Sequence, residues 1–370
     1  MAATRLVGVD AARGVALVAM MAVHLLPGME PDGSLSWSDQ VFRGRAAAAF
    51  ALLAGVALAL ANGRGRPLQG RTWAAAGAGL LVRCVCIAVL GFALGRLGSG
   101  LAIILVNYAL LFVLAIPLLG LRAPALAALA AGATVAVPVW SHVVRAEMAP
   151  MRGPSPVFAD LADPTTLLSE LVLTGYYPVL AWVAYLAAGL AVGRLDLSDR
   201  RTAARLLLEG VALAILAVVA SQQLLQRPEA QSALPAAVAD QTRYGTTPPS
   251  TWWWLAIAQP HSTTPLDLAH TIGTALALLG GCLLLASVAG RWMVPLAWVG
   301  SMTLTLYTVH VLAVAAAPAT EHPGTVWAIQ VVVAFAIAAY WRSSSPRGPI
   351  EQLVAWPAQR AAAAVRAGGR

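Results

Sequence analysis

Residues 9–24, VDAARGVALVAMMAVH, have the composition of a membrane helix, yet they carry an acid, an arginine and a histidine. A helix repeats its face every 3.6 residues or so, and Arg13 and His24 lie about three turns apart, so they share one face at roughly 16 Å along the axis. Asp10 sits one turn before Arg13 on nearly the same stripe. Such a stripe costs several kcal/mol in hydrocarbon unless it faces protein or a water-filled cavity, which makes an intramembrane charge a candidate functional site.

Working outward, the whole chain has the same character. It has 370 residues, 59% of them hydrophobic and 11% charged, with a mean hydropathy of +0.74. This is the balance of an all-α, polytopic membrane helix bundle and not of a soluble domain. Ten apolar windows approach the length of a span: 9–28, 43–62, 74–95, 101–120, 123–142, 166–193, 206–224, 267–288, 294–316 and 325–341. No A-x-A-like cleavage site follows the first, so it reads as a retained helix.

All 24 basic residues are arginine. The net charge of +8 is spread between spans, which fits membrane topology and gives no reason to expect nucleic acid. With the N-terminus inside, the cytoplasmic connections hold Arg64, Arg66 and Arg71, then Arg122, then Arg194, Arg200, Arg201 and Arg205, then Arg291, then the tail from Arg342. The opposite connections hold most of the acids, among them Glu30, Asp32, Asp39, Glu147, Asp160, Asp163, Glu229, Asp240 and Glu321. This bias places both termini in the cytoplasm. The expected division is a membrane domain over 1–345 and a cytoplasmic tail over 346–370, a short amphipathic segment followed by disorder.

Several polar groups interrupt the spans. For Asp10, Arg13 and His24 two readings stand: an i, i+3 ion pair plus an interhelical histidine, or an anion-binding arginine near the cytoplasmic end and a base nearer the outside. Arg43 and Arg45 point about 200° apart on a helix, so at most one follows the face that His24 lines. Thr303, Tyr307 and His310 fall at i, i+4 and i+7 on the ninth window. Asp267 and His270 begin the eighth, with His261 just before them in a long outer loop. The spacing of these histidines matches no established metal signature, and no metal is expected. Trp252, Trp253 and Trp254 in that loop read as interfacial anchors or lid packing, and Tyr176 and Tyr177 as belt residues. Cys84, Cys86 and Cys282 suit buried thiols.

Taken in order, D-x-x-R-G running to His24, FRGRAAAAFALLAG (42–55), LVNYALLFVLAIPLL (105–119), LTGYYPVLAWVAYLAAGLAVGRLDL (173–197), PHSTTPLDL (260–268), PLAWVGSMTLTLYTVH (295–310) and RGPIE (347–351) resemble the transmembrane acyltransferase superfamily. The likeness covers most of the chain and is to actinobacterial proteins of the heparan-α-glucosaminide N-acetyltransferase-like group. The Arg13–His24 spacing is also similar to the signature of the acyltransferase-3 branch. The resemblance implies a multi-pass plasma-membrane enzyme, possible as a homodimer, that takes an acyl group, normally acetyl, from cytoplasmic acyl-CoA. It delivers that group to a hydroxyl or amine of a sugar or glycolipid outside. It implies Arg13 and Arg83 for the CoA phosphates and His24 as the base, or else as the carrier of the acyl group, with Asp10 beside Arg13. Tyr307, His310 and His261 would orient the acceptor or steady the oxyanion, and Arg45 and Asp267 join them on the acceptor side. One departure stands out: the animal lysosomal enzyme has asparagine at the position matching His24 and uses a histidine of the next luminal loop, whereas residues 29–42 here contain none. The competing readings from other classes are a transporter or lipid flippase with a polar cavity, and a membrane scaffold or sensor without turnover.

Overall fold

The computed structural model describes residues 6–30, 32–63, 66–235, 245–317 and 321–368; the sequence positions Arg64 and Asp240 named above lie outside them. Fourteen α-helices follow one another among these residues: α1 (Val7–Leu25), α2 (Trp37–Phe42), α3 (Arg45–Ala61), α4 (Gly70–Gly95), α5 (Leu105–Leu118), α6 (Ala123–Val144), α7 (Pro164–Ser169), α8 (Val179–Gly193), α9 (Arg200–Leu225), α10 (Pro228–Ala233), α11 (Pro265–Gly300), α12 (Thr303–Ala316), α13 (Pro323–Arg342) and α14 (Pro349–Ala367). Extended pairing among them is limited to an isolated bridge between Met29 and Leu35.

Every apolar window of the sequence holds helix, but the windows are not ten straight spans. Among the described residues, seven segments are long and apolar enough to cross a bilayer, or eight when α7 and α8 count as one bent span. Helices α5 and α12 have 14 residues each, about 21 Å of helix against a hydrocarbon core of about 30 Å. Helix α11 runs past the expected break to Gly300, kinked at Ala289, and the chain turns at Ser301 and Met302 instead. The sixth window, expected to be continuous, breaks: a π-turn over Glu170–Thr174 leads into Gly175–Pro178, and the two halves bend by 52°. Pro178 has no N–H to donate and Gly175 tolerates the turn, so helix cannot propagate through. Asn107 of α5 donates to the freed Tyr177 carbonyl at 2.9 Å. Asn107 thereby supplies the satisfaction that a broken backbone needs away from water.

The bundle closes through small residues. Gly189 of α8 lies so close to α3 that an added Cβ would strike the Leu52 carbonyl, and Gly55 faces Leu186 and Leu190 in return. Gly210 and Gly273 play the same part between α9 and α11, and Gly300 presses on the backbone of Asp10. Where hydrocarbon surrounds the protein there is little hydrophobic drive between helices, so close backbone approach and dispersion hold them together. Cys84 and Cys282 are buried free thiols and Cys86 is partly buried. The C-terminal segment is helical to Ala367 and runs along α4, with Arg71 donating to the Val365 carbonyl at 3.0 Å.

The α3–α8 contact gives a direct check. Gly189→Val is expected to cost about 3 kcal/mol or more by forcing two backbones apart. Gly132→Ala, at a site with nothing within 4 Å of a new Cβ, is expected to be neutral or stabilising. Thermal unfolding of the detergent-solubilised proteins measures both.

Candidate active site

Helices α1, α3, α4, α5 and α12 enclose a cavity of about 810 Å³. Arg13, Arg83, Thr303 and Leu304 line one end, and His24, Arg43, Tyr176, Tyr177 and His261 line the other. Its walls are mostly small and apolar, from Ala47, Phe50, Ala54 and Ala57 of α3 to Tyr108 and Phe112 of α5. Arg13 and His24 of the α1 stripe therefore both face the cavity, one at each end.

At the first end, Arg13 Nη2 donates to Thr303 Oγ1 at 2.8 Å, and Arg13 Nη1 lies 3.8 Å from Asp10 Oδ1. Asp10 sits behind Arg13 and does not line the cavity. Arg83 projects into the space from α4, near enough to Arg13 for the two charges to repel. Two guanidinium groups gathered on one wall suit a polyanion such as a phosphate ester. The start of α12, where Met302 offers no side-chain cap, is held from α14: Glu351 accepts from Leu304 N at 2.7 Å, Thr305 N at 3.1 Å and Thr305 Oγ1 at 2.5 Å. A carboxylate at a helix N-terminus satisfies orphan donors and complements the dipole. The tail helix thus fixes the segment carrying Thr303.

At the second end, His24 Nδ1 and His310 Nε2 are 3.0 Å apart with the rings nearly coplanar and edge to edge, and His310 Nδ1 lies 2.6 Å from Gln330 Oε1 of α13. His310 is buried behind His24 and is absent from the cavity wall. Tyr307, one turn earlier, does line it, with its hydroxyl buried beside the Ile104 backbone. His261 enters from the loop before α11 with φ +60°, its ring 5.0 Å from Tyr176 and 5.8 Å from Tyr177 between centroids. A left-handed histidine followed by a left-handed Thr263 is a strained stretch, of the kind retained where surrounding contacts over-determine it. Here Gly245 N donates to the His261 carbonyl at 2.8 Å and Thr263 N to Asp267 Oδ2 at 3.0 Å. Burial first, and then the Arg43 guanidinium, lowers the His261 pKa from 6.5 to about 4.

Several sequence expectations fall elsewhere. Of the two arginines flanking Gly44, Arg43 faces the cavity, paired with Asp39 at 2.5 Å. Arg45 turns to His270 at 2.9 Å and the Gln40 carbonyl at 2.6 Å, beside a separate crevice of about 410 Å³ between α1, α3 and α11. Gly44, at φ +73°, breaks the helix between them, so the angular argument for one continuous helix does not apply. Asp267 holds the His261 loop from behind and does not line the cavity. Tyr176 and Tyr177, read as belt residues, lie in the helix break and line it. Trp254 is buried against Leu234 and Ile257, while the Trp252 ring lies tilted against His142, 4.7 Å between centroids, consistent with packing over the bundle. Gln330 had a faint signal in the sequence, as a lone amide in an apolar window.

A family model described as heparan-alpha-glucosaminide N-acetyltransferase, catalytic, matches residues 5–226. That segment carries Asp10, Arg13, His24, Arg43, Arg83 and the Tyr176–Tyr177 break, while His261, Tyr307, His310, Gln330 and Glu351 follow it. No curated protein and no solved structure matches the chain.

The lowered His261 pKa fixes a sign. Below 6.5 the unfolded chain takes up a proton at this site that the folded chain refuses until about pH 4, so the contribution to stability falls as pH drops through that window and then levels off. His261→Gln removes this dependence. Melting temperatures of variant and wild type measured from pH 7.5 to 4 are expected to show the wild type losing ground across that window.

Proposed function

Because the chain belongs to the heparan-alpha-glucosaminide N-acetyltransferase catalytic family, we propose that it is a multi-pass plasma-membrane enzyme moving an acetyl group from cytoplasmic acetyl-CoA to a hydroxyl or amine of a sugar or glycolipid on the outer side. The observation that carries this reading is one cavity with two arginines at one end and an imidazole at the other. CoA is itself built that way: anionic phosphates at one end, an extended pantetheine arm, and the thioester at its tip. In this reading both termini are cytoplasmic, residues 1–345 form the catalytic membrane unit, and 346–370 form a tail on its inner side.

Arg13 and Arg83 hold the phosphates through charge-assisted hydrogen bonds. The mostly apolar cavity walls receive the pantetheine arm, which brings the thioester towards His24. The acceptor enters at the His261 end. His24 takes the proton as the acceptor oxygen or nitrogen bonds to the thioester carbonyl carbon. The carbon–sulfur bond then breaks, and the leaving CoA sulfur takes that proton back from His24. Tyr307, whose hydroxyl is buried at the cavity wall beside the Ile104 backbone, is placed to donate its O–H to the oxyanion.

Purified protein in nanodiscs, supplied with acetyl-CoA and a pool of sugar and lipid acceptors, is expected to release CoA thiol. His24→Ala should lower kcat about 100-fold or more. Arg13→Ala and Arg83→Ala should instead raise KM for acetyl-CoA about 10-fold, the worth of a lost charge-assisted contact. Absence of both acyl-CoA binding and turnover in folded wild type would overturn the proposal in favour of a transport path.

A further inference from the structure

We propose that Gln330 and His310 are positioning residues that fix the tautomer of His24, so that its Nε2 is presented to the cavity as a proton acceptor. The inference rests on His24 being the base of the transfer proposed above, but the tautomer itself is a property of the resting protein and can be read without any reaction.

The argument follows hydrogen-bonding capacity along a chain of three groups on three helices. Gln330 Oε1 can only accept, so at 2.6 Å from His310 Nδ1 it requires the proton to reside there. A neutral imidazole carries one N–H, which leaves His310 Nε2 bare and able only to accept. His24 Nδ1, 3.0 Å away, must then be the donor. With its single proton committed on Nδ1, His24 has its lone pair on Nε2, the nitrogen that His310 does not engage, and His24 is the member of the pair that lines the cavity. This is the logic by which an orienting partner on one imidazole nitrogen prepares the other. Here a second imidazole and an amide replace the usual carboxylate.

The surroundings make the relay rigid. His310 is 1% exposed. Its ring lies edge to edge with that of His24, nearly coplanar, with centroids 5.2 Å apart and an interplanar angle of 15°. One turn before Gln330, Trp327 donates to the Val18 carbonyl of α1 at 3.4 Å, which holds α13 against the helix that carries His24. A half-buried amide in an otherwise apolar helix costs free energy unless it is bonded, and this one is bonded to an imidazole that does not line the cavity. His310 therefore acts through His24, whereas the resemblance implied that it orients the acceptor or steadies the oxyanion.

The test uses full-length protein labelled with ¹⁵N-histidine, whose nitrogen shifts distinguish the two tautomers. The six histidines are assigned by single substitution. Wild type is expected to show His310 and His24 both protonated on Nδ1, Gln330→Glu to keep that pattern, and Gln330→Leu to mix tautomers at both residues. In the acetyl-CoA assay Gln330→Leu should lose about 10- to 100-fold in kcat with KM for acetyl-CoA unchanged, and Gln330→Glu should restore most of the rate. Wild type protonated on Nε2 at both histidines, or Gln330→Leu that leaves the spectrum unmoved, would overturn the relay. An intact Nδ1 pattern in a protein inactive towards every acyl-CoA would uphold the relay while sinking the transferase reading.

Discussion

A polar side chain in hydrocarbon has no water to turn to, and the stripe Asp10, Arg13, His24 imposes that constraint on every helix around α1. Its satisfaction comes from distant parts of the chain. Arg13 meets Thr303, His24 meets His310, and the α1 backbone meets Trp327. Helix α12 lies beside α1, with Thr303 in reach of the Arg13 side chain and His310 against His24. The two stripes answer one another, and what they leave open between α3, α4 and α5 is the cavity.

The cavity owes its functional ends to interrupted helices. The break at Gly175–Pro178 brings Tyr176 and Tyr177 inward, the break at Gly44 turns Arg43 inward and Arg45 away, and the break at Ser301–Met302 starts α12 beside Arg13. In each case the backbone groups or charges freed by the interruption find a partner, through Asn107 on Tyr177, Asp39 on Arg43 and Glu351 on α12. Irregular backbone at membrane depth is tolerated where protein or a cavity surrounds it. Arg43, Tyr176, Tyr177 and Thr303 sit at those interruptions, while Arg13, His24 and Arg83 project from within α1 and α4.

The docking of α14 ties the tail to the same site. Glu351 reaches the first turn of α12, and Gly348 lies against Met302 and Thr305, too close for a side chain. The RGPIE stretch that precedes and opens the tail helix is thus part of the wall behind Thr303, not a free appendage.

Much of this was legible in the amino-acid order. Apolar windows mark where helices form, because burial in lipid selects long runs without charge, and the eleven-residue spacing of Arg13 and His24 places both on one face, because helix periodicity is local. The family resemblance follows from the same local stretches. What local order did not reveal is which of two neighbouring arginines turns inward, where a span breaks, and which groups complete a hydrogen-bond chain. Arg43 prevails over Arg45 because a glycine at φ +73° resets the helix phase between them. The relay from Gln330 through His310 to His24 joins residues far apart in sequence. Periodicity reports only on neighbours within a helix, whereas the satisfaction of a buried polar group is decided by whichever helix packs across from it, and only the tertiary structure makes that choice.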